Sequence, residues 1–79
     1  MEHYLSSFRI HITVEGKTFT GTIIPFKFLL PSGIPYLFRV VFSEKYFGDL
    51  RFRDGVWQCE GKDNQLVEAI AGYITLWYQ

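Results

Sequence analysis

Phe8-Arg9-Ile10-His11-Ile12-Thr13-Val14 alternates apolar and polar side chains without a break, the mark of a β-strand with one buried and one wetted face. Glu15-Gly16 follows, and then Lys17-Thr18-Phe19-Thr20-Gly21-Thr22-Ile23. A two-residue loop with glycine second suits a type I′ hairpin. That register opposes Ile12 to Phe19, Ile10 to Gly21 and Phe8 to Ile23 on one face, and Thr13 to Thr18, His11 to Thr20 and Arg9 to Thr22 on the other. Opposed residues share a face, and here they sort by polarity; a slip of one residue would mix the two sets.

Phe26-Lys27-Phe28-Leu29-Leu30 reads as a continuation of the second strand past a bulge at Pro25, since proline removes a ladder donor. Pro31-Ser32-Gly33-Ile34-Pro35 is dense in turn formers and reverses the chain. Tyr36 to Phe42 is the next strand, its even positions apolar and facing the core, with Leu37, Arg39 and Val41 outside. The pattern predicts a loop over Ser43 to Gly48 and a strand from Asp49 to Arg53. An Asp54-Gly55 hairpin turn then leads into Val56-Trp57-Gln58-Cys59-Glu60. That register puts Phe52 opposite Trp57 and Leu50 opposite Cys59 inside. Outside it puts Arg51 opposite Gln58, Arg53 opposite Val56, and Asp49 near Glu60. Beyond Gly61-Lys62, Asp63 is a helix N-cap, and at about 100° per residue Leu66, Val67, Ile70, Ala71, Tyr73, Ile74, Trp77 and Tyr78 share one arc.

These elements predict an α+β fold. An antiparallel sheet of four or five strands in hairpin-meander order (8–14, 17–24, 36–43, 49–53, 56–60) carries one C-terminal helix (63–78) packed on one face. At 79 residues the expectation is a single domain spanning 1–79. A 48% hydrophobic content with 20% charged residues excludes a disordered chain. No apolar run reaches the roughly 18–20 residues of a membrane span. Met1-Glu2-His3-Tyr4 lacks the basic start and apolar core of a signal peptide, which points to a cytoplasmic address. The single cysteine, Cys59, makes neither an internal disulfide nor, alone, a zinc site.

Candidate chemistry is sparse. There is no GxGxxG, P-loop, HExxH, CxxC or GxSxG. His11 has no carboxylate opposite it, and alternation places Cys59 inside as a packed thiol. Asp49 and Glu60, as a strand-end pair, lack a third ligand. The sequence therefore implies no enzyme, no cofactor and no metal. Two surfaces stay in contention. Leu37 and Val41 on the open sheet face, Leu29 and Leu30 in the apolar 26–34 segment, and Gly72 and Leu76 on the helix form a candidate protein-interaction surface. A protein partner or a second copy of the chain would occupy it. Glycine inside a helix costs about 1 kcal/mol relative to alanine, so Gly72 invites close approach by another chain. The alternative is an anion- or nucleic-acid-binding face built from Arg9, His11, Arg39, Arg51 and Arg53. Against it, single-strand binders stack bases on outward aromatics, and the strand aromatics here face mostly inward.

Overall fold

A computed structural model describes residues 5–79; Met1-Glu2-His3-Tyr4, where the signal-peptide reading falls, lies outside the described residues. The chain runs β1 (Phe8–Val14), β2 (Lys17–Pro25), β3 (Leu37–Phe42), β4 (Lys45–Arg53), β5 (Val56–Gln58), α1 (Asn64–Trp77). The five strands form one antiparallel sheet in sequential order, and α1 packs on its inner face. The fold is α+β, as the pattern of positions predicts. The sheet curls into a half-barrel, so that both edge strands, β1 and β5, reach the helix.

The first hairpin has the predicted register, with Phe8, Ile10 and Ile12 opposite Ile23, Gly21 and Phe19. Its turn residues, Glu15 at φ 51° and Gly16 at φ 79°, have the two left-handed conformations that a type I′ turn requires. Asp54 (φ 54°) and Gly55 (φ 75°) repeat this between β4 and β5.

The loop predicted over Ser43 to Gly48 is replaced by a third tight hairpin. Ser43 (φ 49°) and Glu44 (φ 65°) alone make the turn, and β4 starts at Lys45. No glycine or asparagine announces this turn. A bulge hides the strand that follows: Val40 pairs with Gly48 but Val41 pairs with Tyr46, leaving Phe47 as the extra residue. The bulge breaks period-two alternation, and Tyr46 joins the outward set while Phe47 packs inward against Phe42 at 5.2 Å between ring centroids.

Pro25 needs no bulge. It pairs in unbroken register with Phe38, and the bonds to β3 are made by the even residues around it, as in Phe26 N–H donating to the Leu37 carbonyl at 3.0 Å. The nitrogen of Pro25 therefore faces the β1 side, where the ladder has already ended at the Phe8–Ile23 pair. No ladder bond is lost. Beyond it, residues 26–36 extend the β2–β3 hairpin as an irregular ribbon. Tyr36 N–H donates to the Phe28 carbonyl, Leu29 bridges Pro35, and Leu30 N–H donates to the Ile34 carbonyl.

The last strand is shorter than predicted. It ends at Gln58, so Cys59 and Glu60 lie outside the ladder, Leu50 has no strand partner in Cys59, and the Asp49–Glu60 pair does not form. Cys59 is half-buried rather than fully interior, its sulfur standing where a Cβ on Gly48 would clash. Burial raises its thiol pKa.

Asp63 caps α1 as predicted: its side chain accepts from Leu66 N–H at 3.1 Å. Val67, Ile70, Ala71 and Ile74 form the buried stripe, which meets Phe8, Ile10, Ile23, Phe38, Val40 and Leu50. Trp77, expected in the core, is half exposed; one face of its indole stacks on Phe8 at 4.4 Å and 9°. β2 and β3 approach closely at Gly21. A Cβ there would run into the backbone carbonyl of Val41.

Candidate functional site

With α1 on the inner face, no described element packs over the outer face of the sheet. Alternation along each strand delivers its side chains. β1 contributes Arg9 and His11; β2 contributes Thr20, Thr22 and Ile24; β3 contributes Leu37, Arg39 and Val41; β4 contributes Tyr46, Asp49, Arg51 and Arg53. The ladders arrange them in rows: Arg9–Thr22–Val41–Tyr46, Ile24–Arg39–Asp49 and Leu37–Arg51–Gln58.

Arg39 is the centre of this face. Its guanidinium carbon lies 5.2 Å from the Phe26 ring centroid and 5.3 Å from that of Tyr46, both within the range of cation–π attraction. Its Nε donates to Asp49 Oδ1 at 3.2 Å, and this hydrogen bond, with the carboxylate charge behind it, raises the arginine pKa further. Partial burial of the phenol, followed by the neighbouring Asp49 carboxylate, raises the pKa of Tyr46. The ring series continues from Phe26 to Phe28 at 6.4 Å and from Phe28 to Tyr36 at 6.1 Å. Tyr46 is 60% exposed, Phe28 52% and Ile24 39%, so the strip is accessible.

Among the described residues no group of three or more His, Cys, Asp or Glu gathers to hold a metal. His11 stands on the outer face opposite Thr20, whereas Cys59 packs against the inner core. No described helix is long and apolar enough to cross a membrane.

The comparisons returned nothing. No protein-family model, curated protein or solved structure matches this chain.

The residues singled out from sequence fall on two separate surfaces. Leu37 and Val41 lie half-buried on the outer sheet face, Leu37 beside Arg51 and Val41 beside Tyr46. Leu29 is exposed on the 26–36 ribbon and Leu30 is half-buried there. Gly72 and Leu76 are exposed on α1, on the far side of the sheet, and belong to no common patch with the others. Of the arginines, Arg9 donates to Thr22 Oγ1 at 3.1 Å, Arg39 is paired with Asp49, and Arg53 lies 3.9 Å from the exposed Asp54 carboxylate. Arg51 has no ion-pair or hydrogen-bond partner among the described residues.

Sequence reasoning missed Ile24, Phe26 and Tyr46 as members of this face. Ile24 and Phe26 were accessible to the alternation argument, given an unbroken β2 through Pro25. Tyr46 was not, because its side depends on the bulge at Phe47.

Proposed function

We propose that this chain is a non-enzymatic protein-interaction domain that docks its partner on the outer face of the sheet. The observation that carries this reading is the Arg39 guanidinium fixed between Phe26 and Tyr46 by Asp49, on a face that no described element covers. Arginine and aromatic side chains dominate the energetics of protein interfaces. An arginine already held in one geometry loses less freedom on binding than a mobile one. Ile24, opposite Arg39, and Phe28, next to Phe26, leave apolar area in water that a partner would remove.

Selection of binders from a displayed peptide library against the full chain tests the reading. Ligands whose binding is lost on Tyr46→Ala and Arg39→Ala, but kept on Leu76→Ala, are expected. Ligands insensitive to the first two changes and lost with the third would overturn it. Circular dichroism of each variant separates lost binding from lost folding.

One observation favours a second reading, an anion- or nucleic-acid-binding face. Tyr46 and Phe28 are largely exposed, giving rings on which bases could stack. The pairing of Arg39 with Asp49 and the approach of Asp54 to Arg53 weigh the other way. Association with single-stranded DNA or RNA that falls steeply with salt would support this second reading; none at low salt would end it.

A further inference from the structure

Resting on the docking role of the outer face, we infer that its occupant is an acidic segment carrying apolar anchors, supplied by a different polypeptide and not by a second copy of this chain. The formal charge of the chain is zero, with 8 basic and 8 acidic residues, but the fold gathers the four arginines on one face. Arg9, Arg39, Arg51 and Arg53 all stand on the outer face, and Asp49 is the one carboxylate within a described strand there. Glu15, Glu44 and Asp54 sit in turns, while Glu60, Asp63 and Glu68 lie on the stretch leading into and along α1. Asp49 is consumed by Arg39, Arg53 has only the exposed Asp54 carboxylate 3.9 Å away, Arg9 donates to a neutral hydroxyl, and Arg51 has no partner among the described residues. The face is left positive.

Two copies meeting through this face would bring those guanidiniums together, a like-charge arrangement that costs affinity. A carboxylate-bearing partner gains where the copy loses. The apolar positions decide what else it must carry. Ile24 lies beside Arg39, Leu37 beside Arg51 and Val56 beside Arg53, so each of these arginines has an aliphatic neighbour on the adjoining strand, about 4.8 Å away. The exposed rings of Tyr46 and Phe28 offer a base a stacking surface, but the aliphatic sites do not; they accept the apolar side chains of an acidic peptide.

The test titrates the isotope-labelled full chain with two synthetic peptides of equal length, one repeating Asp-Leu-Glu-Phe and the other Lys-Leu-Arg-Phe, and with a single-stranded oligothymidylate. The acidic peptide should shift the amide resonances of Ile24, Arg39, Tyr46 and Arg51. Its affinity should fall roughly tenfold on Arg51→Glu with Arg53→Glu, as for other charges that steer association. A milder Arg51→Gln, Arg53→Gln pair guards against misfolding. Shifts on this face from the basic peptide alone overturn the charge inference and leave the docking face standing. Silence from both peptides overturns both. Tighter binding of the oligothymidylate, or self-association abolished by Arg51→Glu, also overturns the inference.

Discussion

Arg39 and Asp49 face one another across the β3–β4 ladder, with Nε and Oδ1 3.2 Å apart, and this contact holds the arginine between two aromatic rings. The pair is more than a third exposed, so its contribution to stability is small. Its consequence is geometric: it fixes where the guanidinium and the Tyr46 phenol stand.

Tyr46 should therefore titrate late. Partial burial and the Asp49 carboxylate both disfavour the phenolate, so the folded pKa lies above the unfolded one. Any stability this group contributes is present below the unfolded pKa and lost as pH rises through the folded pKa. Spectrophotometric titration, with Tyr46→Phe identifying the group, should show Tyr46 ionising above its ordinary value. Asp49→Asn should move it downward. No change on Asp49→Asn would disconnect the two residues.

Gly21→Ala should destabilise the fold by about 1–3 kcal/mol, the range for overpacking a core. The new methyl group would meet the Val41 carbonyl, which is backbone and cannot turn aside. Chemical denaturation measures it; a variant as stable as the parent would mean that β2 and β3 do not approach so closely.

The β3–β4 turn carries removable strain. Ser43 and Glu44 both adopt left-handed backbone conformations, which cost roughly 1–2 kcal/mol per ordinary residue. Replacing the pair with Asn-Gly should stabilise the chain by about 1 kcal/mol, the gain being trimmed by the extra freedom of an unfolded glycine. A lower melting temperature for that variant would contradict the two-residue turn.

Gly72 has open space around it, so Gly72→Ala should add about 1 kcal/mol of helix stability and leave ligand binding on the sheet unchanged. Lost binding would move the working surface to α1.

How far the sequence reveals this molecule follows from where its periodicity is intact. The first hairpin, the Asp54-Gly55 turn, the Asp63 cap and the buried stripe of α1 are legible because pairing, turn chemistry and polarity agree at each. The β3–β4 hairpin is not, since Ser43-Glu44 lacks the usual residues for its backbone and Phe47 shifts the alternation by one. The end of β5 is misjudged for a related reason: Cys59 and Glu60 continue the alternation although the chain has already turned towards α1. The candidate face was legible as a set of outward arginines with Leu37 and Val41. Its centre was not, because the Arg39 sandwich needs Tyr46 from the bulged strand and Phe26 from beyond Pro25.

The claim that the outer sheet face is the docking surface meets its most direct test in resonance mapping of the full chain with its tightest library-selected peptide. The largest changes are expected at Ile24, Phe26, Arg39 and Tyr46, with α1 little affected. Changes concentrated around Gly72 and Leu76, with the sheet face silent, would contradict it.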